Sequence, residues 1–138
     1  MRQIKFRGKR LDNDEWVYGD LEYNRAKNIA RIHTYDEAGE YFMQHLVEPD
    51  SVGQFTGLLD RNGKQIYEGD IVKFHFMTSR SYTTELFPTE KFFGEITVNK
   101  YNQWVILSDG LEIHIENAVK YGEIVGNIHD NPDLLNGK

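Results

Sequence analysis

The chain contains no cysteine. That excludes a disulfide framework, a thiolate zinc site and a cysteine nucleophile. It also fits a reducing compartment, and the cytoplasm is the expected location. Long apolar runs are lacking too. The longest clear one, Trp104 to Leu107, is strand-sized and far too short to span a bilayer. The opening Met1-Arg2-Gln3-Ile4-Lys5-Phe6 has no apolar stretch of the signal-peptide kind. A soluble protein without membrane engagement is expected. Phosphate-cradling loops are missing, since no glycines stand at Gly-x-x-x-x-Gly-Lys or Gly-x-Gly-x-x-Gly spacing. No serine lies in a Gly-x-Ser-x-Gly elbow. The five histidines, His33, His45, His75, His114 and His129, form no His-x-His or His-x-x-x-His pair. No cofactor and no metal are expected, and no catalytic residue can be named. Positive charge is short overall: a net charge of −6 works against attraction to phosphate polymers or anionic lipid.

What the chain does have is aromatic content, 13% within an apolar share of 39%, which is globular and favours strands. Its 138 residues suffice for one ordinary core or two small ones. Ile4 and Phe6 alternate with Lys5 and Arg7, the period of a half-buried strand. Leu11-Asp12-Asn13-Asp14-Glu15 turns the chain, and Trp16 to Leu21 returns it as a first hairpin. Ile29 to Tyr35 and Tyr41 to Val47 flank the turn 36–40 as a second hairpin, which Pro49 ends.

Asn62-Gly63 marks a tight reversal, and Val72, Phe74 and Phe76 then share one strand face. Met77 to Lys91 shows no period, carries Pro88 and reads as a long loop. Short strands follow at 94–99, 103–108 and 111–115, with Asp109-Gly110 as a hairpin turn, and a last strand runs from Tyr121 to His129. Asn131-Pro132 could cap a short helix. Alternation predicts Val72, Phe74, Ile96, Val98, Trp104, Ile106, Ile113, Ile124 and Ile128 inward, Leu111 with them, and Lys73, Glu112 and His114 outward. The fold class is mostly β: an N-terminal β-subdomain of hairpins (1–62), then a C-terminal SH3-like small barrel (63–138) with its long loop at 77–91.

The densest stretch runs from Ser51 to Val72. Val52-Gly53-Gln54-Phe55-Thr56-Gly57-Leu58, Asp60-Arg61-Asn62-Gly63-Lys64 and Ile66-Tyr67-Glu68-Gly69-Asp70-Ile71-Val72 resemble the central signature of the YopX family. Ile4-Lys5-Phe6-Arg7 resembles that family's opening strand, and Glu123-Ile124-Val125-Gly126-Asn127-Ile128 with Asn131-Pro132 resembles its end. The resemblance implies a phage- or prophage-derived, β-rich protein acting in the bacterial host. It implies no catalytic residues. Glycines at positions 53, 57, 63 and 69 also suit a chain that must turn sharply, and the structural reading of the signature is the favoured one.

Three candidate sites remain. Lys5, Arg7 and Lys9 share a strand face near Trp16 and Tyr18, and could pair phosphates and stack bases. Against that, Trp16 and Tyr18 would pack on Ile4 and Phe6, and the basic row would blunt an exposed edge strand. Glu112, His114 and Glu116 share a strand face at about 7 Å spacing, loose for a metal with ligands at ~2.0–2.2 Å. A solvated polar face explains them better. Tyr82, Leu86 and Phe87 put apolar groups on the long loop, which suits protein recognition. The expected role is therefore a non-enzymatic accessory that binds a protein partner, a second copy of itself being one option. Nucleic-acid binding through the basic hairpin is the alternative.

Overall fold

The computed structural model describes residues 3–75 and 91–136. The candidate loop residues Tyr82, Leu86 and Phe87 lie outside that range. The chain divides into two compact units, Met1–Gly57 and Leu58–Lys138. The architecture is mostly β, in two antiparallel sheets, and neither sheet closes into a barrel.

The first unit holds β1 (Phe6–Lys9), β2 (Trp16–Asn24), β3 (Ile29–Tyr35), β4 (Tyr41–Val47) and most of β5 (Gly53–Leu59), in the spatial order β4-β3-β2-β1-β5. Both expected hairpins are present. β4 stops at Val47, and Pro49 opens a 3-10 turn, where its missing N–H leaves no bond unmade. The sheet curls strongly. Arg10, just past β1, meets Val47 in an isolated antiparallel bridge, with Leu11 N donating to Leu46 O at 3.1 Å and Glu48 N to Lys9 O at 2.8 Å. Inside the curl Ala30, Ile32 and Val47 are fully buried, with Phe6, Val17, Leu21 and Val52 packed on them. Gly8 permits this approach, because a Cβ there would stand 2.7 Å from Val47 Cγ2.

In the second unit β5 ends, turns at 60–64 and returns as β6 (Gln65–Tyr67). The five-stranded sheet follows: β7 (Asp70–His75), β8 (Lys91–Val98), β9 (Trp104–Ser108), β10 (Leu111–His114) and β11 (Glu123–Asn127), ordered β10-β9-β8-β7-β11. Its core is Ile66, Val72, Phe74, Ile96, Ile106, Ile115 and Ala118. Trp104, Ile113 and Ile124 pack against that core half-buried, as alternation predicts. Glu112 and His114 are exposed, also as predicted.

Three details depart from the sequence reading. Leu111 is exposed rather than inward, because β10 is an edge strand paired only with β9. Strand β8 begins at Lys91, so the last residue of the expected loop belongs to the sheet. A helix, α1 (Glu116–Tyr121), fills the gap between the two expected strands and takes in Glu116 and Tyr121, which the sequence reading placed on strands. It buries Ala118, and Glu116 in its first turn with Lys120 in its last complement the helix dipole.

Candidate functional site

The signature turn is a densely hydrogen-bonded polar structure, and comparison with two other turns shows its role. Asp36, Asp60 and Asn99 each open the same five-residue reversal. The first residue donates its N–H to the fifth carbonyl (2.9, 2.8 and 2.9 Å), and the fourth N–H returns to the first carbonyl at 3.0 Å in each. In all three the side-chain Oδ1 accepts the third and fifth N–H groups, at 2.8–3.0 Å. The fourth residue has positive φ: Gly39 81°, Gly63 84° and Asn102 62°. That requirement explains Asn62-Gly63 at this point of the signature.

Of the three, Asp60 is the one whose side chain reaches beyond its own turn. It is 5% exposed, and its second oxygen accepts the Ile124 N–H at 2.9 Å. Arg61 N donates to Gly122 O at 3.1 Å, and the Arg61 guanidinium reaches Glu123 at 3.6 Å. The turn thereby clamps the junction of α1 and β11. Burial pushes the Asp60 carboxyl up, but the N–H groups of Ile124, Lys64 and Asn62, with the Lys64 charge, outweigh it and hold it below its usual range. Asp70, also buried, accepts the Tyr67 N–H at 2.7 Å across the next turn. The end of the chain repeats the logic. The Asn127 side chain accepts from His129 N and Asp130 N at 2.9 Å, and Asn131 Oδ1 accepts from Asn127 N at 3.3 Å. These polar residues hold backbone in place.

The basic hairpin differs from expectation. Strand β1 lies between β2 and β5, so it is not an edge. Arg7 is 6% exposed, with its guanidinium 4.8 Å from the Trp16 ring centroid, and Lys5 Nζ lies 5.8 Å from that of Tyr18. The aromatics therefore share a face with the cations and do not pack on Ile4 and Phe6; Ile4 is exposed. Lys9 is half-buried, and its backbone N–H is held by Ser51 Oγ at 2.8 Å. The expected open row of Lys5, Arg7 and Lys9 is thus not open at its centre. Asp20 and Glu22 extend the Tyr18 face of β2, Asp20 accepting from Tyr35 Oη at 2.7 Å and Glu22 pairing with His33 at 2.9 Å and Arg31 at 3.3 Å. The Asp20 bond raises the Tyr35 hydroxyl pKa.

Glu112, His114 and Glu116 do not form one strand face either. Glu116 opens α1 and donates its N–H to His114 Nδ1 at 3.3 Å. Burial, then the charge of Glu68, push the Glu95 carboxyl up.

The feature that sequence reasoning missed is the outer side of β4. Tyr41 (56%), Phe42 (66%), Met43 and Leu46 (48%) are exposed on one strand. Beside it lies a concavity of about 500 Å³ walled by Arg10, Leu11 and Asp12 on one side and by Met43 to Leu46 with Arg31 on the other. Arg10 holds Asp12 through two hydrogen bonds of 2.9 and 2.6 Å, which keep the Asp12 carboxyl below its usual range. The sequence signal is that Tyr41–Val47 carries no charge, unusual where 28% of residues are charged.

The crystal structure of protein EF1440 from Enterococcus faecalis is similar to this chain, with a TM-score of 0.54 and 18% sequence identity, over 98% of this chain and 99% of that one. At that identity the likeness speaks to the fold. No curated protein matches. The YopX protein family matches over residues 5–136, nearly the whole length, and takes in both the buried Asp60 clamp and the Asn127–Asn131 turn. The chain belongs to the YopX family.

Proposed function

We propose that the chain is a non-enzymatic accessory protein of phage or prophage origin, acting in the cytoplasm of a bacterial host by binding a protein partner. The observation that carries the reading is the exposed apolar strand β4, along which Tyr41, Phe42, Met43 and Leu46 all reach the surface, Met43 and Leu46 on opposite faces. Contiguous exposed apolar groups mark interaction sites on soluble proteins, and a sheet edge offers backbone groups that an incoming segment can pair with. The signature residues support the non-enzymatic part, since their polar groups are engaged in holding turns. For the second unit, the order β10-β9-β8-β7-β11 with a short helix before the last strand supports an SH3-like arrangement. The nucleic-acid reading loses its support, because Arg7 is buried and carboxylates continue along β2.

The test is capture from host cells with the tagged full chain and with a Phe42→Glu, Leu46→Glu variant. Both side chains are exposed, so the variant should melt like the parent while losing its partner. An unchanged captured set would move the surface away from β4. Capture of nothing, together with retardation of DNA or RNA at low salt, would restore the alternative.

A further inference from the structure

We infer that the outer edge of β4 accepts an extended polypeptide segment that is apolar in its middle and basic at both ends, adding it to the sheet as a further strand. The inference rests on the reading of β4 as the binding edge and names the chemistry of what binds there.

The backbone sets where pairing is open. Met43 O faces β3, where Thr34 Oγ1 donates to it at 3.0 Å, while Leu46 O faces away and accepts from Leu11 N at 3.1 Å. With the two-residue period of a strand, the amide groups of Gln44 also face away from β3. Among the described residues, pairing on this side of β4 is confined to Leu46, Val47 and Glu48. The described residues leave the stretch 41–45 open on that side. Natural edges are usually blunted by charge or proline, and Tyr41–Val47 has neither.

Charge selects the occupant. Asp36, Glu37 and Glu40, all exposed, lead into β4. At its other end stand exposed Glu48 and, in the turn that follows the Arg10–Val47 bridge, the exposed Asp14 and Glu15, Asp12 being paired with Arg10. The nearby cations are engaged within the sheet, Arg10 with Asp12 at 2.6 Å and Arg31 with Glu22 at 3.3 Å. The edge is therefore an uncharged strip between two acidic ends. A second copy paired antiparallel about a two-fold axis would bring the turn 36–40 of one chain beside 12–15 of the other, carboxylate against carboxylate. A segment with lysine or arginine at both ends meets acid at each end and apolar surface between, and like-charge opposition is absent.

The probe is a labelled nine-residue peptide, Lys-Lys-Val-Thr-Val-Thr-Val-Lys-Lys, titrated with the full chain by fluorescence anisotropy. A Glu-flanked counterpart tests charge. A Lys-flanked peptide with proline at alternate central positions controls for attraction to the net charge of −6. The Lys-flanked strand peptide should bind about tenfold or more tightly than either, and weaken with salt. Gln44→Pro should abolish its binding, and Asp14→Lys, Glu37→Lys, Glu40→Lys together should transfer preference to the Glu-flanked peptide. Equal binding of all three peptides, or a preference that survives the triple variant, would overturn the inference. So would a concentration-dependent dimer lost in Gln44→Pro, which would make a second copy the occupant. If no peptide binds while β4-dependent capture of a partner persists, the assigned chemistry is wrong and the binding edge stands. If that capture fails as well, the functional reading itself falls.

Discussion

Replacing Asp60 separates a turn residue from a clamp. Asp60→Ala removes the acceptor for three backbone N–H groups, those of Asn62, Lys64 and Ile124. Hydrogen bonds to an ionised group are worth about 1.5–3 kcal/mol each. Asn62 and Lys64 lie on an exposed turn and can exchange to water, whereas Ile124 N sits at a half-buried strand start. The expected loss is therefore about 2–4 kcal/mol, well under the sum of three bonds. Asp36→Ala breaks the same two turn bonds at an exposed site with no third partner, and should cost only about 0.5–1 kcal/mol. Asp60→Asn keeps the shape but confronts one N–H with an amide donor, for a loss of about 1–3 kcal/mol.

Trp16 and Trp104 fall one in each unit, so urea unfolding followed by Trp104 fluorescence in a Trp16→Phe background reads the clamped unit. The pH dependence has a definite sign. The folded carboxyl is held below its usual value, so its contribution is complete above the usual carboxylate range, near pH ~4, and is lost as pH falls through the lower folded value. The gap between parent and Asp60→Asn should shrink over that window. Asp60→Ala within about 0.5 kcal/mol of the parent, or no costlier than Asp36→Ala, would refute the clamp.

Other consequences follow from the packing. Gly8→Val should unfold or strongly destabilise the first unit, because even a Cβ there stands 2.7 Å from Val47; Trp16 fluorescence should report this while Trp104 does not. Phe74→Ala, at a fully buried position stacked on Phe92 with centroids 5.8 Å apart, should cost about 3–5 kcal/mol in the second unit by urea titration. Arg7→Ala should lower the melting temperature rather than affect any nucleic-acid binding, since the side chain is buried against Trp16; a stable variant with reduced DNA or RNA retardation would contradict that.

Local patterns made much of the fold legible in the sequence. The second hairpin, Ile29–Tyr35 with Tyr41–Val47, was readable because alternation and a turn opened by Asp36 with Gly39 are contained within 19 neighbouring residues. Asp109-Gly110 announced its reversal for the same reason, both residues taking the positive φ (50° and 81°) such a turn needs. Helix α1 escaped, because six residues are too few to show a helical period and owe their helicity to packing Ala118 into the core.

The site was less legible than the fold. Alternation alone put Arg7 on an open face. The curl of the sheet and the neighbouring β5 and Trp16 bury it instead, and strand order is not written in any single strand. Asp60 looked like one turn aspartate among several. What distinguishes it is Ile124, 64 residues onward, and only tertiary structure brings that N–H to its second oxygen. The same holds for β4: its sequence determined an uncharged strand, and the folding of the sheet decided that this strand would stand at an edge. The physical reason is one of range. Hydrogen bonds within a turn and the period of a strand are fixed by neighbours along the chain, whereas burial depends on which distant segment arrives to exclude the water.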